Sequence, residues 1–183
     1  MGSLAAQYRK SLEKHWGVRF KSRHPDGDNY DGIVVHNART FIVLAEEQSF
    51  EFDGFVAMPK ASIRGYRDTG IEACMNRIIR QNGELRRLKV PAWLTRCATI
   101  IELMETLKKR GIWPAIKTLF PDGSSALYLG PLESISKEGF RIGCYDAAGQ
   151  WETTYPLRWS ELFRVEFNSR YCEHFNRYMR SGL

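Results

Sequence analysis

A repeated segment is the feature that most constrains the fold of this chain. When residues 62–82 are set against residues 162–182, an offset of 100 aligns most of the apolar positions and four identical residues. The identities are Arg64 with Arg164, Asn76 with Asn176, Arg77 with Arg177, and Arg80 with Arg180. Self-similarity of this kind predicts that one supersecondary unit of about ninety residues is present twice.

Turn sequences upstream repeat in the same order. Pro25-Asp26-Gly27 corresponds to Pro121-Asp122-Gly123, and Tyr30-Asp31-Gly32 corresponds to Tyr128-Leu129-Gly130. Proline presets φ and glycine accepts a positive φ, so each Pro-Asp-Gly predicts a turn. The colinear order extends the predicted duplication over nearly the whole chain.

Each copy is predicted to begin with an amphipathic helix. In the first copy, apolar residues recur every four positions from Leu4 to Trp16, and Gly17 can end the helix. In the second copy, Thr99 and Glu102 have the pattern of a capping box, in which each side chain satisfies the backbone amide of the other residue. Three basic residues suit the negative end of this second helix: Lys108, Lys109 and Arg110.

Short strands follow the opening helix in both copies. The predicted strands cover residues 18–21, 30–36, 40–45, 49–57 and 63–67 in the first copy, and 115–118, 126–135, 139–144, 150–155 and 162–167 in the second. Their connections are too short for parallel crossovers, so we expect antiparallel meanders. A tight proline-bearing turn precedes the last strand of each copy, and such a turn can close a five-stranded sheet on itself.

A second helix is predicted to end each copy. Thr69 and Glu72 form a capping box for the first of these helices, and Asn168 or Ser169 can cap the other. The expected apolar faces are Ile71, Cys74, Met75, Ile78 and Ile79 in the first copy, and Tyr171, Phe175, Tyr178 and Met179 in the second.

These elements predict a mainly β fold with helices (α+β). We expect two tandem five-stranded antiparallel barrels, each preceded and followed by a helix. The expected domains are a first helix-barrel-helix unit at residues 1–83, a packed linker at 84–97, and a second helix-barrel-helix unit at 98–183. Pro91 interrupts any continuous helix through the linker, and its apolar residues indicate that it packs against the protein.

A helix followed by five strongly bent strands resembles the Sm-like and SH3-like small barrels. The doubled form resembles uncharacterised bacterial proteins with two such barrels in tandem. Ser62-Ile63-Arg64-Gly65 looks like the Ile-Arg-Gly of the second Sm signature, a segment that helps to bind uridine bases in that family. The second copy has Phe163-Arg164-Val165 without the glycine, so uridine binding of the Sm type is not carried over.

The composition excludes several classes of protein. The 183 residues are 43% hydrophobic and 26% charged, which is typical of globular proteins and excludes wholesale disorder. The apolar runs are far below the roughly 20 residues that cross a bilayer, and the N-terminus lacks the apolar centre of a signal peptide. We therefore expect a cytoplasmic protein with no membrane partner, no cofactor and no metal.

The cysteines fit the same compartment. They lack the CxxC spacing of a metal or redox site, and each lies in a segment with the pattern of a core. We interpret them as buried free thiols in a reducing compartment: Cys74, Cys97, Cys144 and Cys172.

The net charge of +6, from 27 basic and 21 acidic residues, favours a polyanionic partner. The sequence Asn-Arg-x-x-Arg recurs at Asn76 and Asn176, and its two arginines lie one helical turn apart, where they can contact adjacent phosphates. The alternative is a solvated helix face whose arginines stabilise the negative end of the helix. The candidate nucleic-acid-binding residues are Arg77, Arg80, Arg86, Arg87, Lys89, Arg177 and Arg180.

Three functions are compatible with the sequence. The favoured one is a non-enzymatic binding module for RNA or single-stranded nucleic acid. The second is a protein-interaction or oligomeric scaffold that uses β-edges or exposed tryptophans. The third is an enzyme with a cleft between the barrels, which would place His36 or His174 beside a buried carboxylate. No nucleotide-binding, zinc-protease or hydrolase motif occurs in the sequence.

Overall fold

The structure, a computed structural model, describes residues 3–23, 29–146 and 148–181. The chain divides into two compact units, Met1–Thr99 and Ile100–Leu183, which we call unit 1 and unit 2. The described residues form a mainly β fold, as predicted, and contain five α-helices, one more than predicted. None of these helices is long and apolar enough to span a membrane. The predicted turn at Pro25-Asp26-Gly27 lies outside the described residues.

Unit 1 begins with a helix, continues through five antiparallel strands and ends in helices. Within the unit the strands are ordered β5-β1-β2-β3-β4. A 3₁₀ turn at Lys60–Ser62 joins β4 to β5, and another at Leu94–Arg96 follows the last helix. The elements are α1 (Leu4–Lys14), β1 (Val18–Ser22), β2 (Asn29–Asn37), β3 (Phe41–Gln48), β4 (Glu51–Pro59), β5 (Ile63–Arg67), α2 (Gly70–Gln81) and α3 (Glu84–Arg87).

Unit 2 repeats this order of elements with one additional strand and with a single described helix after its last strand. Its strands pair in two antiparallel sets, β11-β6-β7 and β8-β9-β10. A 3₁₀ turn at Trp159–Glu161 again precedes the last strand. The elements are α4 (Ile100–Lys109), β6 (Ala115–Leu119), β7 (Ser125–Leu129), β8 (Leu132–Ile135), β9 (Gly139–Tyr145), β10 (Trp151–Arg158), β11 (Leu162–Phe167) and α5 (Arg170–Arg180).

The prediction of two closed five-stranded barrels is wrong. In unit 1, β5 pairs with β1 and β4 pairs with β3, but no ladder of the described residues joins β4 to β5. The 3₁₀ turn therefore takes the chain to the far edge of the sheet without closing it. In unit 2, the six strands are divided between two sets, so no single five-stranded sheet forms. The antiparallel pairing itself is confirmed.

The extra strand of unit 2 arises at Gly130-Pro131, inside the segment predicted as one strand over residues 126–135. A Cβ at Gly130 would lie 2.1 Å from the carbonyl oxygen of Gly143, so only glycine allows this close approach. Pro131 has no N–H to donate to a ladder, and the strand stops. In unit 1 the corresponding Gly32 is followed by Ile33, which pairs with Ala45, and β2 continues.

Local signals in the sequence are confirmed at several element ends. Thr69 and Glu72 form the predicted capping box of α2, and the Ser169 hydroxyl accepts a hydrogen bond from the Cys172 amide at the start of α5. The last strand of each unit has the predicted bounds. By contrast, α1 ends at Lys14 before Gly17, because His15 adopts the left-handed conformation with a φ of 46°.

The buried faces of the closing helices differ from the prediction. On α2 the buried residues are Glu72, Asn76 and Ile79, whereas Ile71 is 64% exposed. On α5 the buried residue is Cys172, and the side chains of Tyr171 and Tyr178 are about half exposed. Polar side chains are buried when their hydrogen bonds are satisfied, and apolar periodicity does not detect them. Three cysteines are buried free thiols as predicted, but Cys74 is exposed.

Candidate nucleic-acid interface

The asparagine of the repeated motif fixes α2 in place in unit 1. The Asn76 Oδ1 accepts a hydrogen bond from the Gly17 amide at 2.7 Å, and its Nδ2 donates to the Gly17 carbonyl at 2.9 Å and to the Glu72 carbonyl at 2.7 Å. The amide thus bridges both backbone groups of the residue before β1. This role is structural, and it sets the position of the arginines that follow.

Arg80 joins the end of α2 to the end of α1. Its Nη2 donates to the carbonyls of Lys14 at 3.1 Å and His15 at 3.4 Å. Carbonyls at the C-terminal end of a helix lack intrahelical partners and carry partial negative charge, so a guanidinium stabilises them. The contact also brings the basic residues at both helix ends together.

Unit 2 contains an equivalent joint between α4 and α5. Arg180 Nη2 donates to the Gly111 carbonyl, and its guanidinium lies 4.5 Å from the centre of the Trp113 ring. Asn176 Nδ2 donates to the Trp113 carbonyl at 3.0 Å. We call the cations gathered at these joints the basic corners, which comprise Lys14, Arg77 and Arg80 in unit 1, and Lys108, Lys109, Arg177 and Arg180 in unit 2.

All seven predicted site residues are exposed, but some of their charged groups already form contacts within the protein. No described residue forms a hydrogen bond or an ion pair with the side chains of Arg77, Arg86, Lys89 or Arg177. Arg80 and Arg180 are engaged in the joints described above. The alternative interpretation, an arginine that stabilises the negative end of a helix, therefore applies to these two, although the helices they cap are α1 and α4.

The remaining predicted residue, Arg87, neutralises the only acid between positions 77 and 89. Its Nη1 lies 2.6 Å from Oε1 of Glu84, a carboxylate that is buried. The exposed charges of this segment, which spans α2 and α3, are therefore all positive. Such a surface attracts phosphates without regard to base sequence.

A groove of about 710 Å³ lies at the basic corner of unit 2. Arg177 and Arg180 line it together with the polar side chains of Asn168 and Ser181, and Glu173 supplies the one carboxylate of the lining. Guanidinium, amide and hydroxyl groups are suitable partners for phosphate oxygens. The groove therefore favours an anionic ligand.

The sequence interpretation missed the lysines of the corners. Lys14, Lys108 and Lys109 occupy the last turns of α1 and α4, and the last two were assigned only to stabilising the helix end. The joint made by Arg80 or Arg180 brings these turns beside the closing helix. A basic last turn in the opening helix of both copies was the available signal, but its proximity to the motif depends on tertiary contacts.

The carboxylate of Glu72, on α2, is ionised in the folded protein and is engaged in hydrogen bonds. Burial acts to raise the pKa of Glu72, but hydrogen bonds from the Thr69 hydroxyl, the Arg67 guanidinium and the Thr69 amide lower that pKa to about 2. The Arg67 Nε lies 2.6 Å from its Oε1. This carboxylate is held inside unit 1 and leaves the exposed cations of α2 unopposed.

The histidines considered for catalysis lie in different settings. The ring Nε2 of His36 lies 2.7 Å from the carbonyl oxygen of Cys97, and the ring packs edge-on against Phe41. This contact holds the segment after α3 against β2. His174 is exposed on α5. Among the described residues, no cluster of three or more histidine, cysteine or acidic side chains could hold a metal ion.

Comparison with known proteins gives no relative from which a function could be transferred. No protein-family model, no curated protein and no solved structure matches the chain. The arrangement of its own residues is therefore the basis for assigning a function.

Proposed function

We propose that the protein is a non-enzymatic module that binds nucleic acid through its basic corners. The observation that carries this proposal is the recurrence of one helix joint in both units. Each joint leaves an arginine exposed and without a described partner at the same position, Arg77 on α2 and Arg177 on α5. Lysines occupy the last turn of the opening helix in both units, next to the helix end that the joint contacts: Lys14, Lys108 and Lys109.

The chemistry of these positions suits phosphate contacts. Arginine presents a planar fork of donors that matches phosphate oxygens, and it remains charged at all physiological pH values. Arg86 and Lys89 add further cations, without a partner among the described residues, after the corner of unit 1. Contacts of this kind position a nucleic acid backbone and carry no base specificity. We therefore expect RNA or single-stranded nucleic acid to bind with strong salt dependence.

The test is the double variant Arg77→Ala with Arg177→Ala. We expect weaker binding of labelled RNA and DNA 12-mers of every sequence, measured by fluorescence anisotropy from low to high salt. Each lost phosphate contact lowers the slope of log K against log[salt] by about 0.7 for single strands, so the slope should fall by about 1.4.

A matched control is available in the loops between strands. Arg39→Ala with Lys137→Ala removes from each unit one exposed charge that has no partner in the described part of the chain, at the β2–β3 and β8–β9 turns. This control should leave the salt slope unchanged. Full binding by the Arg77 and Arg177 double variant would refute the proposal, and so would an equal loss in the control.

A protein-binding scaffold is the second candidate, favoured by exposed apolar side chains on α5. Tyr171 is 52% exposed and Tyr178 is 51% exposed, and the rings of Tyr171 and Phe175 lie 6.2 Å apart. Aromatic side chains of this kind are frequent at protein interfaces. Light scattering at two salt concentrations separates the candidates, because self-association that is independent of salt and lost in Tyr171→Ala supports the scaffold.

A further inference from the structure

A row of aromatic side chains runs from the basic corner of unit 2 to strand β10. The guanidinium of Arg180 lies over Trp113, and Trp113 stacks on Tyr145 with ring centres 5.9 Å apart and planes inclined by 16°. Tyr145 in turn meets Trp151 edge-on at 5.2 Å. We call the three rings, Trp113, Tyr145 and Trp151, the aromatic row. It begins at a cation of the basic corner and ends at an exposed indole.

Trp151 is fixed in position although it is half exposed. Its six-membered ring occupies the space that a side chain at Gly143 would fill, since a Cβ there would lie 2.4 Å from the indole Cη2. The edge contact with Tyr145 holds a second side of the ring. Even so, 49% of the Trp151 surface remains exposed. A large ring with a fixed orientation and a solvent-exposed surface has the properties of a stacking platform.

A second cation lies beside this platform. Alternate residues of a strand share a face, so Arg141, Gly143 and Tyr145 project from the same side of β9, and Arg141 is about 7 Å along the strand from Gly143. The Arg141 side chain is exposed, and no described residue forms a hydrogen bond or an ion pair with it. The indole therefore has Arg141 on one side and Arg180 at the other end of the row.

We infer that Trp151 stacks on an unpaired base of a single-stranded nucleic acid, while Arg141 and the basic corner of unit 2 hold the flanking phosphates. Base stacking on a side chain requires a base that is free of its neighbour, which a continuous duplex does not offer. Cations at both ends of the row match a polyanion that crosses it. This inference rests on the proposed function and names its ligand class.

A carboxylate close to the platform does not oppose this ligand strongly. Glu133 lies on β8, and its Oε1 accepts a hydrogen bond from the Thr154 hydroxyl at 2.7 Å. Thr154 is the cross-strand partner of Gly143, so this pair lies at the margin of the indole. The carboxylate is thus engaged within the sheet and disfavours phosphate only at that margin, while bases can still approach the ring.

The experiment compares three 12-mer probes: oligothymidylate, an abasic strand of equal length and a hairpin duplex. We expect Trp151→Ala to bind oligothymidylate about tenfold more weakly, because base–aromatic stacking supplies that much affinity, and to bind the abasic strand unchanged. Trp151→Phe should retain most of the affinity. Leu127→Ala is the control, since Leu127 is an equally exposed apolar residue, at 49%, on β7.

A second variant moves the indole without removing it. Gly143→Val would place side-chain atoms where the ring now lies, so the indole must shift. We expect the same selective loss for oligothymidylate, together with a changed tryptophan fluorescence spectrum. The contrast between Trp151→Ala, which should lose affinity, and Trp151→Phe, which should retain it, keeps the test decisive if Gly143→Val fails to fold.

The outcomes separate this inference from the proposed function. Equal binding of all three probes by the unmodified protein would overturn the inference and leave the proposed function intact. Unchanged affinity of Trp151→Ala for oligothymidylate, or an equal loss on the abasic strand, would also overturn the inference. Failure of the unmodified protein to bind any probe at low salt would overturn the proposed function itself.

Discussion

The two units differ in how each holds the helix of the repeated motif, α2 or α5, against the segment before its first strand. In unit 1 the buried amide of Asn76 uses both its donor and its acceptor on Gly17. In unit 2 the donor of Asn176 binds the Trp113 carbonyl, but its buried Oδ1 has no hydrogen-bond partner among the described residues. The asparagine of the motif therefore uses both its donor and its acceptor in unit 1, but only its donor in unit 2.

The backbone groups that the two amides contact are different. Gly17 presents both its N–H and its carbonyl to Asn76, whereas Trp113 presents only its carbonyl to Asn176. Arg180 stacks on the ring of Trp113, a contact that its counterpart Arg80 does not make with any ring in the described part of unit 1. A repeated motif can therefore keep its position while its hydrogen bonds are redistributed.

The largest expected effect comes from removing the amide of Asn76. Asn76→Ala deletes three hydrogen bonds and leaves the backbone groups of Gly17 unpaired in a buried site, so we expect a loss of about 4 kcal/mol in the unfolding free energy of unit 1. Asn176→Ala deletes one hydrogen bond at 3.0 Å and should cost about 1 kcal/mol in unit 2. Urea unfolding followed by the NMR signals of each unit measures both losses.

A conservative variant sharpens the same comparison. Asn76→Asp keeps an acceptor for the Gly17 amide but sets a buried carboxylate oxygen against the Gly17 and Glu72 carbonyls, to which it cannot donate, so its loss should be at least as large as that of Asn76→Ala. Equal losses for Asn76→Ala and Asn176→Ala would show that the unpaired acceptor of unit 2 makes no difference. That result would remove the contrast between the units.

How far the sequence predicts this fold depends on the range of the interactions involved. The capping box of α2 and the bounds of β5 and β11 follow from neighbouring residues, and they were predicted. Barrel closure depends on whether the two edge strands of a sheet pair with each other, and no local pattern in the sequence indicates that. The break at Gly130-Pro131 could have been predicted from Pro131, because proline cannot donate to a ladder.

The candidate site was predicted in the same partial way. The repeat identified the arginines of both closing helices, since identical residues at a fixed offset are visible in the sequence. The different roles of these arginines were not visible in the sequence, because they depend on tertiary contacts. Arg80 binds helix carbonyls, whereas Arg177 has no partner among the described residues. The aromatic row was missed for the same reason, since its rings come from three separate segments.

A second expected effect separates the units by their response to acid. Glu72 of unit 1 has its pKa lowered to about 2 from an ordinary 4.5, so it stabilises the folded state above about pH 4.5 and loses that contribution as the pH falls towards 2. The full contribution reaches about 3 kcal/mol. In unit 2 the matching position is Cys172, whose pKa burial raises to about 11, so its contribution is lost only between about pH 9 and 11.

We therefore expect acid to weaken unit 1 before unit 2. Asp68 adds to this sensitivity: burial acts to raise its pKa, but hydrogen bonds from Lys10, Trp16 and Gln7 lower it. Urea unfolding at pH 7 and pH 3, followed by the NMR signals of each unit, tests the order. Glu72→Gln should reduce the pH dependence of unit 1 alone. Earlier acid unfolding of unit 2 would contradict the assignment of Glu72.

The smallest expected effect concerns the arginines that join the helix ends. Arg80→Ala removes contacts to two terminal carbonyls at the surface and should cost about 0.5 kcal/mol, while Arg180→Ala also loses the stack on Trp113 and should cost about 1 kcal/mol. Thermal unfolding measures both. A larger loss for Arg80→Ala than for Arg180→Ala would contradict this prediction. It would show that the stack on Trp113 does not compensate for the incomplete hydrogen bonding of Asn176. The two joints would then be alike only in the contact of an arginine with a helix end.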